Sequence, residues 1–240
     1  MARGTPDWGE YSQQDLFAKS FDLAELAVRL GCPSVFHRDG TILFMDTFDY
    51  GLSRWTKYEV GNCTINVSTD KAFFKDKSLK FAFSGLATDA SKIELEYPYL
   101  FTKSYGFECT LNFNGSKLTF ELDGMKFYNN VCVECEVRIE PENNLIKIYT
   151  PGGWITLCTD LKICTDGRMW NFLKMVVDFE AGKYKYLILN DRVFDLSAYS
   201  LYSYNWTTYD DIEVKIYVAN NEDAVKSLYV GSVIITTNEP

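Results

Sequence analysis

Carboxylates at alternate positions of two predicted strands are the first groups in this sequence that could do chemistry. Glu121 and Asp123 lie two residues apart, and glycoside hydrolysis uses such carboxylates as nucleophile and as acid/base. Gly124-Met125-Lys126 follows, so the alternation of carboxylates does not continue to a third one on the same strand face. A second strand places four charged residues on one face by alternation: Glu134, Glu136, Arg138 and Glu140. Because an Arg lies among the acids, we favour a charge-paired face exposed to solvent.

Nucleophilic and metal chemistry have weaker candidates. His37 is the only histidine, and no Gly-x-Ser-x-Gly elbow is present to form a catalytic triad with it. Cys132 and Cys135 have zinc-knuckle spacing, and Cys158 and Cys164 could complete a tetrahedral site. However, residues three apart on a strand point to opposite faces, so we favour buried free thiols. We therefore predict no catalytic residue, no cofactor and a protein that is not an enzyme.

An aromatic segment is the most informative feature of the sequence. The segment 199–209 contains four Tyr and one Trp, directly before two acids. Such residues can form core, a protein contact or a surface on which flat sugar faces stack, and all three interpretations remain open. The candidates for glycan binding are Trp154, Tyr202, Tyr204 and Trp206.

The elements that must position these residues are almost all strands. From Asp46 onward, alternating or apolar runs of strand length recur every 8–12 residues, separated by turn-forming pairs such as Asp123-Gly124. This pattern predicts an all-β fold, an antiparallel two-sheet jelly-roll sandwich over residues 46–240.

The N-terminal residues 1–45 have a different character. Residues 1–20 carry turn formers around an isolated Trp8, which indicates an extended arm. A capping box at Asp22 and Glu25 and a stop at Gly31 predict one short helix over 22–30. Asp39-Gly40 then predicts a hairpin turn. We assign this region to attachment or oligomerisation.

Composition excludes several function classes. The 240 residues carry a formal net charge of −9, which argues against nucleic-acid binding and a polybasic membrane module. No apolar run is long enough to span a membrane, and the first 20 residues lack the apolar core of a signal peptide. Seven Cys in such a chain indicate free thiols and a cytoplasmic site of synthesis.

Four segments in order resemble concanavalin A-like and laminin G-like jelly rolls, a group that includes carbohydrate-binding modules. They are Asp46-Thr-Phe-Asp-Tyr-Gly-Leu-Ser-Arg-Trp55, Lys77-Ser-Leu-Lys-Phe81, the region 170–195 and the closing strand 228–237. The resemblance implies a structural Ca²⁺ near the first strand, for which Asp46 and Asp49 are the candidates. The closing strand lacks the expected carboxylate, so Ca²⁺ is disfavoured.

The first 31 residues resemble the leaders of virion accessory proteins of tailed bacteriophages. The resemblance implies a non-catalytic protein that decorates a capsid or tail, with capsid or tail proteins and copies of itself as partners, in a virion assembled in the host cytoplasm. Attachment would then depend on Arg3, Trp8, Leu23, Leu26 and Leu30. The alternative is a carbohydrate-binding module that recognises a polysaccharide or a cell-surface glycan.

Overall fold

The computed structural model describes residues 40–73, 76–98, 102–207 and 210–240. Within them the chain forms two antiparallel sheets and one short 3-10 turn at Pro141–Asn143. The strands are β1 Thr41–Asp46, β2 Thr56–Val60, β3 Cys63–Ser68, β4 Ser78–Phe83, β5 Ala90–Pro98, β6 Ser104–Asn114, β7 Leu118–Tyr128, β8 Val131–Glu140, β9 Leu145–Thr150, β10 Gly153–Cys158, β11 Asn171–Asp178, β12 Lys183–Leu189, β13 Arg192–Asp195, β14 Tyr202–Asn205, β15 Asp211–Asn220 and β16 Lys226–Thr237.

The first sheet has the order β13-β12-β11-β6-β16-β4-β3, and β1 also pairs with β16. The first half of β16 pairs with β4, from Lys226 opposite Phe83, and the second half pairs with β1, from Val233 opposite Asp46. β6 and β16 are buried along almost their whole length, because each lies between two neighbouring strands in the centre of the sheet.

The second sheet has the order β10-β9-β8-β7-β15-β5-β2, and β14 also pairs with β8. β8, like β16, pairs with two different strands along one of its edges. Its first residues pair with β14, with Glu134 opposite Tyr202, and its last residues pair with β9, with Arg138 opposite Lys147. This division brings β14 and β9 to the same side of β8.

The core lies between the two sheets. Alternate residues of each strand point inward, so that Phe120 and Leu122 of β7 and Val137 of β8 meet Phe107 and Met175 of the first sheet in one buried cluster. Each such side chain contributes about 1.5–3 kcal/mol when fully buried. The intervening residues of β7 and β8 are therefore fixed on the outer face of the second sheet.

Asp123-Gly124, which the sequence predicts as a turn, lies in the middle of β7. That prediction was wrong because the glycine is required by packing. A Cβ on Gly124 would lie 2.9 Å from Cys135 Sγ and would also collide with the Phe107 ring. A glycine inside a strand often marks a bulge, a bend or such a close approach. The continuous strand places Asp123 beside β8 and β15 instead of in a loop.

The predicted fold class is confirmed, since the described residues form an all-β two-sheet sandwich. The predicted helix 22–30 and the first strand of the predicted hairpin lie outside the described residues. The segment Thr41–Met45, which we grouped with the N-terminal region, pairs with β16 in the first sheet. The division at residue 46 otherwise stays a prediction.

The cysteines of the described residues are free, and all except Cys164 are buried. Cys135 belongs to the core between the sheets, whereas Cys132 packs with Met125 and Phe127 in a second cluster on the outer face. The two thiols thus point to opposite faces. Within the described ranges no group of three or more His, Cys, Asp or Glu residues could hold a metal ion.

Among the same residues, no helix has the length and apolar character needed to cross a membrane.

Candidate functional site

Three adjacent strands of the second sheet, β7, β8 and β15, place carboxyl groups on its outer face, because alternate residues point the same way. Two from each strand form one group, and a further one, Glu140 at the end of β8, pairs with Lys147. We call this group the acidic cluster, and its members are Glu121, Asp123, Glu134, Glu136, Asp211 and Glu213.

The register of the strands brings the members of the acidic cluster together. Asp123 is directly opposite Glu136 on β8 and Lys215 on β15. One pair further along the strands, Met125 lies between Glu134 and Glu213. Side chains in directly opposite positions have Cβ atoms about 4.5–5.5 Å apart, so these carboxyl groups interact across the strands.

Two cations on the same strands are engaged in ion pairs. Arg138 Nε lies 2.6 Å from Glu121 Oε1, and the Arg138 guanidinium carbon lies 3.9 Å from the centre of the Trp154 ring. Lys215 Nζ lies 3.2 Å from Glu213 Oε2 and 3.6 Å from Glu94 Oε1. The acidic cluster therefore holds more carboxyl groups than these two cations can neutralise.

Burial and nearby negative charge raise the pKa of two members of the acidic cluster, Glu136 and Asp123. Burial, and then the charges of Asp123 and Glu121, raises the pKa of Glu136 to about 9. Burial and the charges of Glu121 and Glu134 also raise the pKa of Asp123 well above its ordinary value. A carboxyl group kept neutral in this way can donate a hydrogen bond or a proton to a bound molecule.

Three further members of the acidic cluster, Asp211, Glu134 and Glu213, show the same tendency. Burial and the neighbouring Glu213 raise the pKa of Asp211 to about 7. Burial also raises the pKa of Glu134 and of Glu213. In addition, Asp123 Oδ1 and Asp211 Oδ1 are buried and have no hydrogen-bond partner within the part of the chain that the structure describes. Such atoms are costly to bury and accept a hydrogen bond readily.

Aromatic rings form a continuous row beside the acidic cluster. Ring centres are 5.3 Å apart between Trp154 and Tyr149, 5.4 Å between Tyr149 and Tyr202, 5.7 Å between Tyr202 and Tyr204, and 6.3 Å between Tyr204 and Trp206. We call these five residues the aromatic row. All five are half-buried, so each ring presents part of its surface to solvent.

The aromatic row and the acidic cluster are neighbours because β8 carries both partners. Tyr202 is directly opposite Glu134, and Arg138 covers the Trp154 ring while it pairs with Glu121. Tyr184 of the first sheet supports the junction from inside the core. Its hydroxyl donates a hydrogen bond to the Tyr149 carbonyl at 2.7 Å and accepts one from the Glu136 backbone N–H at 3.0 Å.

The structure brings together all four residues that the sequence nominated for glycan binding, since Trp154, Tyr202, Tyr204 and Trp206 belong to the aromatic row. Within the same segment, Leu201 is a core residue. Whether the aromatic row binds a glycan stays a prediction.

The sequence interpretation missed Tyr149, Asp211, Glu213 and Lys215, which complete the site. The alternation of Asp211-Ile-Glu-Val-Lys215 was an available signal for a second charged strand face.

The two calcium candidates serve as hydrogen-bond acceptors at the end of β1. Asp46 accepts from the Phe48 backbone N–H at 2.7 Å and from Trp55 Nε1 at 2.9 Å, and Asp49 accepts from the Thr47 hydroxyl at 2.6 Å. These bonds stabilise the turn that follows β1.

The residues predicted for attachment lie outside the described residues. They are Arg3, Trp8, Leu23, Leu26 and Leu30. Attachment, the protein partners and the virion location therefore stay predictions.

No protein-family model and no curated protein sequence matches the chain. Solved structures with a similar fold include a sialidase, a glycoside hydrolase family 16 endo-glucanase from Bacteroides ovatus and an endo-β-1,4-glucuronan lyase from Trichoderma reesei. Their TM-scores are 0.54, 0.52 and 0.51, at 8%, 13% and 9% identity. The matches cover 83%, 81% and 82% of this chain, but only 19% of the sialidase, against 100% of the endo-glucanase and 96% of the lyase. At these identities the likeness shows a shared fold.

These matches correct the prediction that the protein is not an enzyme. A hydrolase and a lyase share almost their whole length with this sandwich, so the fold itself gives no ground for excluding catalysis. The charge-paired interpretation of β8 was also incomplete, because it took account of Arg138 but not of the acids that β7 and β15 place beside it.

Proposed function

We propose that the protein binds a glycan chain on the outer face of the second sheet, with the sugar rings on the aromatic row and their hydroxyl groups on the acidic cluster. The observation that carries the proposal is the unbroken sequence of ring contacts from Trp154 to Trp206, directly beside a set of carboxyl groups.

The physical argument begins with the rings. Sugars have apolar faces that stack on aromatic surfaces, and polar groups at the edge of the surface fix their orientation. Tyr202 and Glu134 occupy directly opposite positions on β14 and β8, so a sugar on the ring would have a carboxyl group at its edge. Successive rings along the row would bind successive sugars, which favours a polysaccharide over a single sugar.

Carbohydrate recognition is favoured over a role in a virion. The solved structures of similar fold include an enzyme whose name specifies a glucan, and the aromatic row supplies a surface on which sugar rings can stack. The virion proposal depends on residues 1–31, which lie outside the described residues.

A binding experiment with a panel of polysaccharides tests the proposal. In affinity electrophoresis, at least one polysaccharide should retard the wild-type protein, and Trp206→Ala or Tyr202→Ala should reduce the retardation at least about tenfold, because stacking on each ring is lost. Tyr50→Ala is the matched control, since Tyr50 is 93% exposed and lies in the turn after β1. Retardation that is equal in all variants, or absent throughout, would refute the proposal.

A second function, cleavage of the bound glycan, is favoured by one specific observation. Glu136 has a pKa of about 9, so it is protonated at neutral pH and can act as a general acid toward a glycosidic oxygen. Glu121, held in an ion pair with Arg138 on the neighbouring strand positions, is the candidate for the charged partner. β7 carries only two carboxyl groups on this face, Glu121 and Asp123, and Glu136 of β8 would supply the third.

Release of reducing ends from the bound polysaccharide measures this activity. Glu136→Gln and Glu121→Gln should each abolish it, while the aromatic row still retards the variants in affinity electrophoresis. Glu140→Gln should retain it, because Glu140 lies on the same face of β8 but pairs with Lys147, 2.6 Å away. If the wild type binds a polysaccharide and releases no reducing ends from it, the face binds without hydrolysis.

A further inference from the structure

We infer that the glycan carries free amino groups, and that these bind as ammonium groups among the acids of the acidic cluster. The inference rests on the proposed function, because it specifies the class of glycan that the same face recognises.

The charges of the face support a cationic ligand. The acidic cluster contributes six carboxyl groups from three adjacent strands, against Arg138 and Lys215. Arg138 is engaged by Glu121 and by the Trp154 ring, and Lys215 by Glu213 and Glu94. Both cations lie within ion-pair distance of carboxyl groups of this sheet, so a uronate or sulfate group would have to compete with these carboxyl groups for them. The net charge of −9 on the whole chain acts in the same direction.

Buried acceptor atoms give a second, independent indication. Asp211 is 9% exposed, and its Oδ1 has no hydrogen-bond partner within the described ranges. Asp123 Oδ1 is orphaned in the same way, on the neighbouring strand. An ammonium group has three hydrogen-bond donors and no acceptor, so it can supply the donor that these oxygens lack. A neutral sugar hydroxyl would satisfy one oxygen but, unlike an ammonium group, would not stabilise the ionised form of the acids.

The crowding also explains why a cation would bind more strongly than a neutral group. The titratable and charged groups around Glu136 are Glu134 and Arg138 on its own strand, Glu121 and Asp123 on β7, Tyr149 on β9, and Lys215 on β15 beyond β7. Burial and the acids among them raise the pKa of Glu136 to about 9. A bound ammonium group stabilises the ionised form, so an ammonium group bound beside Glu136 should release the carboxyl proton and thereby oppose the action of Glu136 as a general acid.

Isothermal titration with three short oligomers tests the inference: a chitosan oligomer, its fully N-acetylated counterpart and an oligogalacturonate. At about pH 6, where the chitosan amines are charged, we expect the chitosan oligomer to bind at least about tenfold more tightly than the acetylated oligomer, and the oligogalacturonate not to bind. Titrations in two buffers of different ionisation enthalpy should show release of protons with chitosan alone.

Two variants make the outcome specific. Glu136→Gln and Asp211→Asn should each weaken binding of the chitosan oligomer more than binding of the acetylated oligomer, whereas Glu140→Gln should leave the ratio of the two affinities unchanged. Thermal melting verifies that each variant is folded.

The outcomes separate the two proposals. If the acetylated oligomer binds as tightly as chitosan, the inference is wrong and glycan binding stands. If no oligomer and no polysaccharide of the panel binds, both are wrong.

Discussion

Replacing Glu136 with Gln should change how the stability of the protein depends on pH. The pKa of Glu136 is about 9 in the folded protein, against an ordinary value of 4.5. Between these two values the folded state holds a proton that the unfolded state has lost, so the free energy of unfolding of the wild type falls as the pH rises. The amide of the Glu136→Gln variant cannot ionise, so the variant carries no such penalty.

The size of the effect follows from proton linkage. One proton bound only in the folded state changes the free energy of unfolding by about 1.4 kcal/mol per pH unit. Since Glu136 is half-buried and shares its proton with neighbouring carboxyl groups, we expect about 0.5–1 kcal/mol per pH unit in favour of the Gln variant between about pH 5 and about pH 9. Below about pH 4 the two proteins should differ little, because Glu136 is then protonated in both states.

Urea unfolding, followed by tryptophan fluorescence over this range of pH, gives the required free energies. Glu140→Gln is the matched control, because Glu140 lies on the same face of β8 and is ion-paired with Lys147. The difference between this control and the wild type should not grow with pH. If the free energies of unfolding of the wild type and of Glu136→Gln change in parallel with pH, then Glu136 is not held protonated and the description of the acidic cluster is wrong.

Three further predictions concern the elements that position the face. Gly124→Ala should lower the free energy of unfolding by about 1–3 kcal/mol, because its methyl group collides with Phe107, and an unchanged urea midpoint would contradict the packing of β7. Tyr184→Phe should lower the free energy of unfolding by about 1–3 kcal/mol, because the Glu136 N–H and the Tyr149 carbonyl lose their bonds to the Tyr184 hydroxyl. An unchanged urea midpoint would show that these two bonds do not stabilise the sandwich. On the first sheet, Glu239→Gln should cost about 1–3 kcal/mol, because it removes one of the two carboxylates that pair with the fully buried Lys174 amine, at 2.7 Å, and leaves Glu108 at 3.0 Å; an unaltered melting temperature would contradict this.

Much of the fold could be predicted from the sequence, because alternation of apolar and polar residues specifies both the strand and the face that is buried. The acids of β8 could be assigned to one face in this way. The acidic cluster could not, because it depends on which strands are neighbours and in what register. β15 lies beside β7 although more than 80 residues separate them in the chain, and no local pattern encodes that pairing.

Two further features depended on context in the same way. The sequence suggested a turn at Asp123-Gly124, whereas the glycine is required by the Phe107 ring of the other sheet. Tyr149 was not recognised as part of the aromatic row, because its neighbours Trp154 and Tyr202 come together only when β9 and β14 both pair with β8.

The central claim, that a glycan binds along the aromatic row, is tested most directly by the indole N–H signals of the tryptophans in an NMR titration with a polysaccharide that retards the protein. We predict that the signals of Trp154 and Trp206 shift. Those of Trp55, whose Nε1 donates to Asp46, and of Trp170, which lines a cleft of about 440 Å³, should stay in place. Shifts confined to Trp170 or Trp55, with Trp154 and Trp206 unmoved at saturation, would contradict the account.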